Sequence, residues 1–366
     1  MSDLSNKIIS DKQFRAAGHA TLIGSLPVND HNKALDLILA STPHIPLWPQ
    51  LPSNPLEGML SQFIEGIPGI VEQENSTFFE TATENFEPEL LAFFEEYLAV
   101  IESPSKLLSS RFQVSEKRGG GLYRFKEIVA GKNELIALKG QITGPFTLLT
   151  GLHDKDKRLG YYDPTIREMV VKALAMKAAW QVTFLKESKL PVIIFIDEPA
   201  LAGLGSSSFI SISLDDISQD LTEVITAIQE AGGLAGVHVC ANTDWNLLLS
   251  IGLDVLSFDA YGFFDRLIAD KKPVYEYLNN GGILAWGIVP TANAEIITGE
   301  TTASLVTLWE KQAAQLTNDQ WDLAALLNQT MITPSCGTGS LSLELAQRVL
   351  NLTHDVSETL RHKYPA

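Results

Sequence analysis

Two positions separate a histidine from a cysteine in the stretch GGLAGVHVCANTDWN, at His238 and Cys240, and the chain holds one other cysteine, Cys336 in ITPSCGTG. In an extended strand residues i and i+2 point to the same face, so this imidazole and thiol stand side by side. Imidazole nitrogen at about 2.0–2.1 Å and thiolate sulfur at about 2.3 Å are donors that a tetrahedral zinc ion takes. Asp259, at the end of DVLSFD, offers a carboxylate from the next predicted strand, and Cys336 offers a second sulfur from the last one. A free cysteine also serves as a small buried hydrophobe, and an isolated H-x-C fits either use. Joint placement favours a metal, because both cysteines fall at predicted strand ends and turns call for neither residue type. Ser25, Thr143 and the pair Asp197–Glu198 end other apolar runs, where such residues also cap a following helix.

The elements that must position these groups are eight apolar or β-branched runs: ATLIGSLP, HIPLWPQLP, IALKGQITGP, PVIIFIDEP, LAGVHVCAN, DVLSFDAYG, GILAWGIVP and TMITPSCG. Continuous apolar runs read as buried parallel strands. Helical spacing fills several gaps, as in PTIREMVVKALAMKAAWQVTFLKES, SLDDISQDLTEVITAIQEAGG and SLSLELAQRVLNLTHDVSETLRHK. Repeated strand–helix alternation predicts an α/β fold, a single closed (β/α)8 TIM barrel spanning residues 1–366. An insertion at about residues 55–135 would separate the second and third strands. Within it LLAFFEEYLAVIE reads as a helix, and RFQVSEKRGGGLYRFKEI as a hairpin turning at Gly119–Gly121. An open doubly wound sheet is disfavoured, because no Gly-rich dinucleotide fingerprint follows the first strand. In such a barrel the chemistry sits at the carboxyl ends of the strands, so closure would bring His238, Cys240, Asp259 and Cys336 to one point. Trp48 and Trp286 read as core.

The 366 residues are 45% hydrophobic, enough for a large core, and the formal charge of −17 argues against nucleic acid or an anionic membrane as main partner. The amino-terminal stretch is polar, lacks a signal-peptide core, and no apolar run reaches the roughly 18 residues of a membrane span. A reduced, cytoplasmic setting is therefore expected, with cysteines used for ligation, catalysis or core filling.

The motifs TLIGSLP, LKGQITGPFTLL, FIDEPAL, VHVCANTDWNLLLSIGLDVLSFD and ITPSCG resemble, in that order, the catalytic C-terminal barrel of cobalamin-independent methionine synthase. The H-x-C-x-N-T segment is equally similar to zinc methyltransferases that pass a methyl group from a corrinoid protein to a thiol such as coenzyme M. Both families belong to the uroporphyrinogen decarboxylase-like superfamily. The resemblance runs from about residue 20 to the C-terminus and is faint over residues 50–135. It implies a Zn²⁺ cofactor on His238, Cys240, Asp259 and Cys336, with Asp standing where methionine synthase has Glu. It also implies substrate contacts at Gly24, Ser25 and Asp197, with Glu198 beside them. Several family features have no counterpart here: the folate-binding N-terminal half, an indole after TGP, a D-I-H-S-P histidine (here WGIVPT), and a G-E-x-x-R acid.

A free thiol with a pKa near 8.5 is only a few per cent ionised at neutral pH, whereas a zinc-bound thiol is deprotonated and nucleophilic. The resemblance therefore implies a zinc-dependent enzyme that methylates a small thiol, homocysteine above all. The donor would be a methylated corrinoid protein or a methylfolate. A porphyrinogen decarboxylase would want an arginine cluster for several carboxylates, and the 27 basic residues against 44 acids form none near the strand ends. A non-catalytic zinc-binding barrel is the remaining alternative.

Overall fold

The computed structural model describes residues 14–365 apart from residues 75, 207, 208 and 210; the polar amino-terminal reading lies, up to residue 13, outside the described residues. Helix α1 (His31–Ser41) starts on the side chain of Asp30, which accepts from Lys33 N. The insertion follows, with a hairpin of β1 (Ile70–Gln73) and β2 (Ser76–Phe79), then α2 (Phe86–Glu102) and α3 (Glu116–Val129). Next come β3 (Leu138–Thr143), α4 (Pro145–Gly151), α5 (Pro164–Leu185), β4 (Val192–Asp197), α6 (Leu214–Glu230) and β5 (Leu234–Val239). Short helices α7 (Trp245–Ser250), α8 (Ala260–Leu267) and α9 (Lys271–Asn279) surround β6 (Val255–Phe258) in sequence. The chain closes with β7 (Ile283–Val289), α10 (Ala294–Gly299), α11 (Thr302–Ala313), α12 (Leu323–Asn328), β8 (Thr330–Pro334) and α13 (Leu343–Lys363).

Strands β3 to β8 form one parallel sheet in sequential order, without the reversal of a doubly wound sheet. Residues on its outer side, among them Ile194, Ile196, Val237, Leu256, Trp286 and Ile332, join the large core made with the helices. Helix α5 covers β3 and β4, α6 covers β5, α11 covers β7, and α13 covers β7 and β8. The alternate residues Ile193, Phe195, Val255, Ile283, Ala285 and Met331 build a separate small core on the inner side, with Ala16, Ile23, Ile45 and Ala137. Beyond that apolar layer, toward the carboxyl ends, the inner side turns polar at Asp197, His238, Ser257 and Thr333, all buried.

The closed eight-stranded barrel expected from the sequence is corrected: the parallel ladder has six strands and is open. ATLIGSLP and HIPLWPQLP, read as the first two strands, are extended but form isolated bridges in place of continuous ladders, Ala20 to Ile332, Ser25 to Gln50 and Leu47 to Lys139, with a few backbone bonds beside them. Proline explains much of this. Pro43, Pro46, Pro49 and Pro52 punctuate the second run, and each removes an N–H that a ladder needs.

A second correction concerns Gly119–Gly121, which lie in helix α3 and not in a hairpin turn. Gly119 carries the kink (φ −138°, ψ 40°). At Gly121 a Cβ would sit 2.6 Å from the Pro49 carbonyl oxygen and 3.1 Å from the His31 ring. The missing side chain thus serves close approach of α3 to the second extended segment. Among the described residues no helix is long and apolar enough to cross a membrane.

Candidate metal centre

Strand register sets the first row of the site. Asp197 of β4 pairs with His238 of β5, and His238 pairs with Ser257 of β6, so three buried polar side chains share one level of the inner face. A 2.9 Å hydrogen bond joins His238 Nδ1 to Ser257 Oγ. The other ring nitrogen, Nε2, is buried with no hydrogen-bond partner. A buried polar atom left bare is costly, and here it adjoins two sulfurs. Cys240, just past β5, and Cys336, in the turn after β8, bring their Sγ atoms and a His238 ring nitrogen within 4.8 Å of one another.

The two thiols are electrically unlike. The Cys336 thiol, and then the nearby His238 ring, pull the Cys240 thiol down to about 4, against the opposing effect of burial. The bond it gives to Cys240, and then burial, push the Cys336 thiol up. One imidazole with a bare nitrogen and two cysteine sulfurs form a donor set that fits a zinc ion.

Asp259 does not join this group. It is the N-cap of α8, its Oδ1 accepting from Gly262 N at 2.8 Å. Burial raises its carboxyl to about 6; the Gly262 bond opposes this and the Cys240 charge adds to it. Asp197 is 6% exposed, and its Oδ1 is buried without a partner. Burial lifts this carboxyl to about 6 while His238 and Lys139 draw it down. Glu198 is fully buried and committed elsewhere. It accepts from Phe146 N at 2.9 Å, Thr147 N at 2.8 Å and Thr147 Oγ1 at 2.6 Å, capping α4. A side chain at Gly144 would overlap the Glu198 carboxylate, which accounts for the glycine of TGP.

No protein-family model matches the chain, and no curated protein matches it.

Gly24 and Ser25 line a narrow crevice with Cys336 and Gly337. The Ser25 carbonyl accepts from Thr338 N and Oγ1, both at 3.0 Å, and its Oγ accepts from Gly339 N at 3.2 Å, tying this turn to the one after β8. Thr143 Oγ1 donates to Met59 O at 2.6 Å and holds the insertion. Trp48 and Trp286 are fully buried, their indole N–H groups given to Gln181 and Gln312.

Four inner residues escaped the sequence reading: Lys139, Gln141, Ser257 and Thr333, all buried. Thr333 Oγ1 is buried without a partner. A lysine inside the apolar run IALKGQ was the available signal, since lysine is almost never fully buried unless paired.

Proposed function

We propose that this protein is a zinc-dependent methyltransferase that methylates a small thiol, with homocysteine as the substrate and methionine as the product. The observation that carries the reading is the meeting of His238, Cys240 and Cys336, from sites up to 98 positions apart, with His238 Nε2 unpartnered. The likeness of the surrounding motifs to the methionine synthase barrel supports it. A zinc ion on these three residues supplies the charge that keeps an incoming thiol ionised at neutral pH.

The chain's own residues do the rest. Ser257 fixes the His238 ring through Nδ1 and leaves Nε2 for the metal. Asp197, with its bare Oδ1, takes the substrate ammonium. The Gly24–Ser25 turn, which shares a crevice with Cys336, takes the substrate carboxylate. The thiol proton would pass to solvent before the sulfur attacks. An S–CH3 bond forms as the bond between methyl and donor breaks, and that bond's electron pair stays on the donor, a methylated corrinoid protein or a methylfolate.

Purified protein is expected to hold zinc at close to one ion per chain, with Cys240→Ser and Cys336→Ser losing it. Zinc-loaded protein is expected to form methionine from homocysteine and methylcobalamin. Metal-free protein with both thiols unreactive toward alkylating agents would overturn the reading. So would firm zinc binding with no methionine from either methylcobalamin or methyltetrahydrofolate.

A further inference from the structure

Segments 20–25 and 47–50 border the site on isolated bridges and a few backbone bonds, among them Thr21 N to Ile332 O, Gln50 N to Gly24 O and Trp48 N to Lys139 O, in place of a continuous ladder. Side chains of β3 add to that hold. Lys139 Nζ donates to Ile23 O at 2.5 Å and to Gln141 Oε1 at 3.4 Å. Gln141 Nε2 donates to Trp48 O at 3.1 Å. From α5, Gln181 Nε2 donates to Gln141 O at 3.0 Å, and Gln181 Oε1 accepts from Trp48 Nε1 at 3.0 Å.

Lys139 is the unusual member of this set. Its side chain is fully buried, with Nζ 4.3 Å from the centre of the Phe195 ring. Burial lowers its ammonium to about 7, while the charge of Asp197 draws it back up. An ammonium out of water is expensive, and methionine would fill the same space without that cost. The position therefore makes use of the charge. Lys139 pairs with Ile193, and Asp197 lies four residues further along β4 on the same inner face, so the two share that side of the sheet without touching.

We propose that Lys139 is a positioning residue of the thiol site, holding the Ile23–Ser25 turn in place through its hydrogen bond to Ile23 O, on the inner face it shares with Asp197. This inference rests on the reading of that site as one for a thiol. It makes Lys139 a support of the turn assigned to the carboxylate, although the residue itself touches no part of the substrate.

The test uses full-length zinc-loaded protein and two variants, Lys139→Met, which removes both donor and charge, and Lys139→Gln, which keeps a donor. Each is titrated calorimetrically with homocysteine and with 2-mercaptoethanol, a thiol lacking both ammonium and carboxylate. The preference for homocysteine is expected to fall about tenfold or more in both variants, the scale of one charge-assisted contact. Equal weakening of the two thiols, or unchanged preference, would overturn the proposal, as would failure of both variants to fold.

Amide exchange on the same proteins before thiol is added separates this idea from the functional one. Leu26 N bonds to Gln50 O, and Thr338 N bonds to Ser25 O. These two amides are expected to exchange faster in Lys139→Met than in Lys139→Gln, with β6 and β7 unchanged. That pattern would uphold the bond to the turn even if wild-type protein bound no thiol. Unaltered exchange at Leu26 and Thr338 would remove it whatever the thiols do.

Discussion

Ser257 is the partner that orients His238, through a single 2.9 Å bond to Nδ1. Replacing it with alanine leaves that nitrogen bare in a buried place and frees the ring to turn. Ser257→Ala is expected to weaken zinc binding about 10–100-fold, the usual effect of losing such an outer partner, in a competition assay with a chromophoric chelator. Unchanged affinity would show that the ring is held by its surroundings alone. The core of the site was legible at this scale, because alternation in a strand is rigid and puts residues 238 and 240 on one face. Asp259 was not legible. A residue just past a strand is also the first residue before a helix, and its carboxylate went to Gly262 N. The same competition claimed Glu198, whose oxygens are taken by Phe146 and Thr147. Lysine within an apolar run reads as an edge, so Lys139 passed unnoticed until its burial was seen.

Among the elements, six strands coincide with the apolar runs from IALKGQITGP onward, since a strand covered on both faces needs apolar residues throughout. The two earlier runs carry the same apolar residues, and proline limits the second of them to isolated bridges at Leu47 and Gln50. Gly119–Gly121 misled for a related reason: glycine marks tight turns and close approach alike. The second use makes a sharp prediction. Gly121→Ala sets a Cβ 2.6 Å from the Pro49 carbonyl oxygen, a backbone atom that cannot swing aside. It is expected to lower stability in urea by about 1–3 kcal/mol, as overpacking does. Gly299→Ala, where a Cβ meets nothing within 4 Å, should leave the midpoint nearly unmoved. Equal midpoints for the two variants would show that α3 yields without cost.

At the scale of the whole molecule, the extended segments depend on partners far along the chain. Residue 20 bridges to Ile332, and Ser25 accepts from Thr338 and Gly339. Strands β3 to β8, by contrast, each pair with the next in sequence. Contacts between distant parts of a chain form slowly, so in pulse-labelled refolding the amides of Ile194 and Val237 are expected to gain protection before those of Gly18 and Thr21, which bond to Thr330 and Ile332. Simultaneous protection would mean a single cooperative step. On the ribosome this ordering has a cost in time. Residues 18–21 lack their partners until Thr330–Pro334 has been synthesised, and throughout that wait the apolar side chains of Ala20 and its neighbours would stay open to a chaperone.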